Sequence, residues 1–262
     1  MTPCCLTLSI RALRPLGSES DSAVCFELTL DPPGWAEWRP GQFVMLRPEC
    51  WGNELLWARP FSISRVDEQG LHLFFQVVGR GTGRLAGLPP GAPVTVWGPL
   101  GTSFVCEPDT PTLLLAGGVG LAPFIGYAAR HPRPENLRLL FGHRLPLDCY
   151  PWARFDKALQ CVSYREKGPD GLATFIRLLR STVERQAGGL LLACGPTPFL
   201  RTVSALASEF GCRAQLSLEN RMACGVGACL GCVTPDTRGW PLQVCTHGPV
   251  FWADTIDLNA KG

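Results

Sequence analysis

Thr112-Leu113-Leu114-Leu115-Ala116-Gly117-Gly118-Val119-Gly120-Leu121-Ala122-Pro123 separates two kinds of architecture in this chain. Its first five residues form a continuous apolar run bounded by glycine, which predicts a strand buried on both faces in a parallel sheet. The glycines predict a tight turn, and the apolar residues through Tyr127 and Ala129 a helix. The same grammar repeats downstream. Leu137 to Phe141 is a second strand, ended by Gly142, and Leu190 to Cys194 a third, ended by Gly195-Pro196. Thr197 is read as the cap of a helix with Phe199, Val203, Leu206 and Phe210 on one face and Gly211 at its end. Strands alternating with helices predict a parallel α/β sheet.

Upstream the texture is different. Glu107-Pro108-Asp109-Thr110-Pro111 is a polar, proline-bearing hinge. Before it come six short runs, Leu6 to Leu13, Val24 to Leu30, Gln42 to Leu46, Phe61 to Val66, Leu71 to Val77 and Pro93 to Trp97. They recur too closely to leave helices between most pairs, which predicts an antiparallel barrel. The expected organisation is therefore a β barrel over 1–107, an α/β domain over 108–213 and a small C-terminal module over 214–262.

Hydrophobic content of 46% with 18% charged residues fits a globular protein with substantial cores. A net charge of +2 without any basic run argues against nucleic acid as the main partner. The N-terminus lacks a basic region followed by an apolar one, so no signal peptide is expected. The longest apolar stretch, Leu113 to Ala129, is broken by glycines and Pro123 and falls short of a membrane span. Thirteen cysteines without an export signal imply reduced thiols in the cytoplasm. Those outside the module described next are expected to be buried small hydrophobes.

Cys224-Gly225-Val226-Gly227-Ala228-Cys229-Leu230-Gly231-Cys232, answered by Cys245, has the spacing C-x4-C-x2-C-x12-C. Four thiolates in this order suit a plant-type [2Fe–2S] cluster, and the glycines let backbone N–H groups turn toward sulfur. A structural zinc site is the main competitor, although zinc modules usually offer two C-x2-C hairpins and only Cys229 and Cys232 form one. Within the barrel, Arg59-Pro60-Phe61-Ser62 groups a guanidinium for a pyrophosphate, a ring for stacking and a hydroxyl for a ring nitrogen. Alternation along a strand would put Arg59 and Phe61 on one face and Ser62 on the other. Phe74-Phe75-Gln76 leads into Gly79-Arg80-Gly81-Thr82-Gly83, where a strand yields to a helix start suited to phosphate. In the α/β half, ligands are expected outside the carboxyl ends of the strands, at Gly117, Gly118 and Gly120 and at Cys194, Gly195 and Pro196. Ala122-Pro123 stand where a Gly-x-Gly-x-x-Gly fingerprint would have its third glycine. His72, His131, His143 and His247 are scattered and expected to be structural.

The order Arg-Pro-x-Ser, Gly-x-Gly-Thr, Gly-Gly-Val-Gly-x-Ala-Pro and Cys-Gly-Pro resembles the ferredoxin–NADP reductase superfamily. The run Glu219 to Cys232 narrows the resemblance to the electron-transfer subunits of class 1B, NAD-linked dihydroorotate dehydrogenase. The resemblance implies FAD on Arg59, Pro60, Phe61 and Ser62, helped by Phe74, Phe75, Gln76, Gly81 and Thr82, and a cluster on Cys224, Cys229, Cys232 and Cys245. Two positions depart from the family's pattern: His247, where Asp is usual, and Gln76, where a basic residue is common. The implied role is in pyrimidine biosynthesis. Dihydroorotate would reduce an FMN on a separate catalytic subunit, and single electrons would pass through the cluster to FAD and on to NAD⁺. A flavin must stand between a two-electron and a one-electron carrier. The implied assembly is a heterotetramer with two subunits of each kind, and this chain alone would not act on dihydroorotate. A flavin and iron–sulfur subunit of a bifurcating transhydrogenase or hydrogenase, or a zinc-bearing structural subunit, remain as other readings. Arg144, after the second α/β strand, leaves NAD against NADP open.

Overall fold

The structure is a computed structural model describing residues 3–18, 24–155 and 159–259. Six strands, β1 (Cys4–Leu16), β2 (Cys25–Leu30), β3 (Phe43–Pro48), β4 (Arg59–Asp67), β5 (Gly70–Gln76) and β6 (Pro93–Leu100), close an antiparallel barrel in the order β1-β2-β5-β4-β3-β6. Each coincides with one of the six predicted runs to within three residues at either end. Alternation along them sends Leu28, Leu30, Leu71, Leu73, Val94 and Val96 into one buried core. The turn between β4 and β5 needs Gly70, whose φ is +139° and whose Cβ position would lie 1.8 Å from the Leu30 carbonyl oxygen. A short helix, α1 (Arg80–Ala86), joins β5 to β6.

Past the hinge, β7 (Thr112–Gly117), α2 (Ala122–Arg130), β8 (Leu137–His143), β9 (Gln160–Arg165), α3 (Gly171–Glu184), β10 (Leu190–Cys194), α4 (Thr197–Glu209) and β11 (Arg213–Ser217) build the α/β half. A small hairpin, β12 (Val233–Pro235) and β13 (Pro241–Gln243), follows, and then β14 (Val250–Trp252). The large sheet runs β14-β11-β10-β7-β8-β9, all parallel except β14, which pairs antiparallel with β11. Its inner strands β7 and β10 are buried on both faces, as their apolar runs require. Leu114, Leu139 and Leu192 pack beneath α2 with Phe124, while Leu113, Leu140 and Leu191 pack beneath α3 and α4. The second of these cores continues without a break into Cys232, Val244 and Cys245. Fully burying a side chain such as Phe124 contributes about 1.5–3 kcal/mol.

Several sequence expectations are corrected. The strands β9 and β11 and the helix α3 add to the predicted elements. Thr197 is the first helical residue of α4 rather than its cap; Pro196 precedes it, and no side chain caps the helix. Leu200, absent from the predicted face, is among its most buried residues. Of the cysteines outside the C-terminal module, Cys25 and Cys149 are buried, whereas Cys5, Cys50 and Cys106 are exposed.

The two halves meet where α2 crosses β4. A Cβ on Gly126 would stand 2.5 Å from the Trp38 ring and 2.6 Å from the Ser64 carbonyl oxygen, so only glycine lets the helix lie so close. A second seam forms at the barrel exit. Thr102 N–H donates to the Gly248 carbonyl at 2.6 Å, and the Thr102 hydroxyl both donates to the Val250 carbonyl and accepts its N–H, at 2.9 and 3.2 Å. Together the two seams set the glycine turn after β7 opposite the mouth of the barrel.

Candidate functional site

Between barrel and sheet lies a cleft of about 730 Å³. From the barrel it is lined by Arg59, Pro60, Phe61, Ser62, Phe74, Phe75, Gln76 and Thr82, and from the sheet by Gly120, Cys194 and Gly195. Simple alternation would have turned Ser62 away from Phe61, yet both reach the cleft. The β4–β5 pairing shifts register between Ile63 and Arg65, so the strand is not a regular two-residue repeat at this mouth. Arg59 is held in place by donating from Nη1 to the carbonyls of Trp57 and Ala58, at 2.7 and 3.2 Å. Its guanidinium also sits 5.6 Å from the centre of the Trp51 ring. Gly81 does not line the cleft; its Cβ position lies 3.0 Å from Arg59 Nε, so this glycine makes room for the guanidinium. The Thr82 hydroxyl accepts the N–H groups of Val78 and Gly79, at 3.0 and 3.2 Å, and so shapes the turn itself. A cleft lined by an arginine fork, aromatic rings and a hydroxyl fits a flat heterocycle joined to a pyrophosphate.

On the sheet side, packing explains much of the glycine pattern. A Cβ on Gly117 would meet Pro196 at 3.1 Å, and one on Gly195 would meet Phe199 at 2.9 Å. One on Gly120 would stand 2.1 Å from the Cys194 carbonyl oxygen, and Gly118 holds a φ of +55°. Gly117, Gly118 and Pro196 therefore shape the shelf without lining the cleft. Burial pushes the Cys194 thiol up to about 12, a rise that a hydrogen bond with Ser217 lowers and the Glu219 carboxylate adds to. At neutral pH this thiol stays protonated and serves as a small neutral wall, not a nucleophile. Ser217, Glu219 and the following Asn220, Arg221 and Met222 also line the cleft. Sequence reading used Glu219 to Met222 only within the run that carries the family resemblance and gave neither them nor Ser217 a role in this cleft; β11 delivers them by ending beside β10.

The cysteine loop packs against β3 and β6 of the barrel. Gly225, at φ +72°, lies so close that a Cβ would be 2.4 Å from Met45 Cγ, and Trp97 Nε1 donates to the Cys224 carbonyl at 2.9 Å. Backbone N–H groups converge on sulfur throughout. Val226 and Cys229 donate to Cys224 Sγ at 3.4 Å, Gly227 to Cys245 Sγ at 3.2 Å, Gly231 to Cys229 Sγ at 3.4 Å and Cys245 to Cys232 Sγ at 3.4 Å. For Cys224, burial opposes ionisation, but the N–H groups of Val226, Cys229 and Ala228 outweigh it and bring the thiol down to about 7. For Cys245, burial, the adjoining Cys232 thiol and the Cys224 charge push it up to about 12, against the Gly227 N–H.

The thiols thus fall into two contacting pairs, Cys224 with Cys229 and Cys232 with Cys245. Among the described residues no three Cys, His, Asp or Glu side chains gather round a single metal-sized point. Two pairs suit a centre with two metal atoms, each taking two thiolates, and sulfur-directed N–H groups suit an anionic cluster. Around the loop, Leu230 and Trp240 are exposed at 60% and 68%. Val250 and Phe251 are buried, because β14 adds them to the sheet. The four histidines have local roles. His72 bonds Asp67 at 2.9 Å, the Gln243 N–H donates to His247 Nδ1 at 3.0 Å, His143 is buried against Phe141, and His131 bonds the Arg133 backbone.

Comparison with known proteins gives consistent matches. The family described as "Iron-sulfur cluster binding domain of dihydroorotate dehydrogenase B" matches residues 219–257. A protein of Caldanaerobacter subterraneus subsp. tengcongensis, named "Dihydroorotate dehydrogenase B (NAD(+)), electron transfer subunit", is 32% identical over 93% of this chain and 96% of its own. One of the same name from Geobacillus kaustophilus is 35% identical over 89% of this chain and 93% of its own. Among solved structures, an NADH-dependent reduced ferredoxin–NADP oxidoreductase superposes with a TM-score of 0.79 at 23% identity, over 96% of this chain and 90% of that one. A ferredoxin–NADP⁺ reductase of Neisseria gonorrhoeae superposes with a TM-score of 0.62 at 17% identity, over 79% and 92%. These two likenesses concern the fold.

Proposed function

Because this chain belongs to the family of dihydroorotate dehydrogenase B electron transfer subunits, we propose that it carries electrons between a separate catalytic subunit that oxidises dihydroorotate and NAD⁺. The observation that carries this reading is the pairing of four thiols on a loop packed against the barrel that forms the cleft. FAD supplies the exchange between hydride and single electrons, and a [2Fe–2S] cluster supplies the one-electron relay. In this reading Arg59 binds the pyrophosphate, Phe61, Phe74 and Phe75 bound the isoalloxazine region, and Ser62 orients the ring. Gly120, Cys194 and Gly195 form a neutral, close-fitting wall for the nicotinamide. Glu219 and Ser217 fix the Cys194 side of that wall. Cys224, Cys229, Cys232 and Cys245 hold the two irons. Residues 1–107, 108–213 and 214–262 divide these tasks, although β14 returns the last segment to the sheet.

The partner's docking face adjoins the cluster loop. An apolar groove of about 630 Å³ runs past Cys5, Leu56, Trp57, Trp97, Cys224 and Val226. Leu56, Trp57 and Val226 are each more than half exposed, and Trp57 lines both this groove and the cleft. Exposed apolar surface of this kind, beside a ligand set for an electron carrier, suits an FMN-bearing catalytic subunit, with two copies of each chain in the assembly. Cytoplasmic residence belongs to the same reading; among the described residues no helix is long and apolar enough to cross a membrane.

The test is reconstitution. The purified chain should reduce dyes with NADH yet form no orotate from dihydroorotate and NAD⁺ until an FMN-bearing dihydroorotate dehydrogenase subunit of the same cell is added. Val226→Asp should abolish the restored reaction and spare dye reduction, and Cys229→Ala should remove most of the iron and acid-labile sulfide. Turnover of dihydroorotate by the isolated chain would refute the division of labour, and stoichiometric zinc without sulfide would refute the cluster.

A further inference from the structure

The carboxyl ends of β8 and β9 carry an ion pair that the electron-transfer chemistry does not use. Gly142 pairs with Tyr164 and His143 with Arg165 in the parallel ladder. Arg144 and Glu166 are the next residues on each strand, where the Glu166 N–H still donates to the His143 carbonyl at 2.8 Å. Arg144 Nε and Nη2 reach the two carboxylate oxygens of Glu166, at 3.3 and 3.4 Å. The arginine is largely exposed and the glutamate only 26% so. The carboxylate is backed by the start of α3, where a Cβ on Gly171 would lie 3.1 Å from Glu166 Cγ. Arg165 Nε donates to the Arg144 carbonyl at 3.1 Å, adding a second cation to the same edge.

Position gives this pair a meaning. The cleft takes Cys194 and Gly195 from the end of β10 and Gly120 from the turn after β7. Beyond β7 in the sheet lie β8 and then β9. A dinucleotide with its nicotinamide at β10 and its pyrophosphate over the β7 turn extends two strand spacings, roughly 10 Å, to bring its second ribose to the end of β8. There a 2′-hydroxyl can donate to a carboxylate, whereas a 2′-phosphate needs a free cationic fork.

We infer that Glu166 is the residue that selects NAD(H) over NADP(H), by engaging the Arg144 fork and presenting a carboxylate to the adenosine ribose. This rests on the nucleotide-binding reading of the cleft. Removing the charge would free Arg144, with Arg165 beside it, to take a 2′-phosphate.

The experiment uses the full chain with FAD bound and titrates it with 5′-AMP and adenosine 2′,5′-bisphosphate by calorimetry, alongside kcat/KM for NADH and NADPH with a dye acceptor. The wild type should favour AMP and NADH. Glu166→Gln should shift both ratios toward the 2′-phosphorylated ligand by about tenfold, the scale of one charge-assisted contact. Arg144→Gln added to it should cancel most of that gain, with FAD content reporting that each variant folds. A Glu166→Gln protein whose bisphosphate-to-AMP ratio is unchanged, or a wild type that prefers the bisphosphate, overturns the inference. Since the titration needs no turnover, that failure is distinct from failure of the electron-transfer reading, which would show as a flavin that NADH does not reduce.

Discussion

Arg59 spends Nη1 on the carbonyls of Trp57 and Ala58, which aims the rest of its fork at the cleft. Arg59→Ala should therefore weaken FAD binding by roughly 1.5–3 kcal/mol, about ten- to a hundredfold, read as flavin lost on dialysis. Arg59→Lys should recover only part of the loss, because a point charge cannot both brace Trp57 and grip a pyrophosphate in two places. A second prediction concerns the buried thiols. Burial raises both Cys25 and Cys194 from 9.0 to about 12, with the Cys149 charge adding to Cys25. A raised acid favours the protonated form in the folded state, so this stability is complete below pH 9 and is lost as pH rises from 9 toward 12. Alkylation by iodoacetamide at pH 8 should accordingly modify Cys5, Cys50 and Cys106 and spare Cys25 and Cys194, as mass spectrometry of the native protein would show.

Among the elements, the cysteine loop leaves little room for change. Gly225→Ala asks an L-residue to hold φ +72° with its Cβ 2.4 Å from Met45 Cγ. It should expel the cluster while leaving FAD in place, seen as iron lost with the flavin spectrum kept. Most elements could be read from the chain because their pattern follows from their burial. Strands such as β2 and β6 bury one face and alternate, and β7, β8 and β10 bury both and run apolar. Sequence reading missed β9 and β11 for the same reason reversed. As an edge strand, β9 reads Gln160-Cys161-Val162-Ser163-Tyr164-Arg165, with polar residues between apolar ones. The short β11 carries Gln215, buried because its side chain accepts the Val105 N–H at 2.8 Å. Within the site, the residues held in motifs were legible, and Ser217 and Glu219 were not, because only the β10–β11 pairing brings them to Cys194. The strand β14 was not read either, because three residues give no periodicity to recognise.

At the scale of the whole molecule, barrel and sheet act as one body because Thr102 ties the barrel exit to β14 through both groups of Val250. Thr102→Val removes two hydrogen bonds at once and leaves the partly buried Val250 backbone unpaired, at a cost of about 1–3 kcal/mol. The expected result is a lower midpoint in denaturant and weaker FAD retention, since the cleft is walled by both halves; unchanged values for both would show the seam to be unimportant. The pairing that makes this seam has another consequence. Ser217, the last residue of β11, pairs with Val250, the first of β14, and Leu218 N–H donates to the Pro249 carbonyl at 2.9 Å. Everything from 219 to 248 leaves and re-enters the sheet at a single doorway. The cysteine-bearing segment is thus an insertion in one hairpin, and an Asn-Gly turn in its place would join the same two strands. Exchanging this cassette for such a turn would keep the pairing of β11 with β14 but unfill the core that Cys232, Val244 and Cys245 complete.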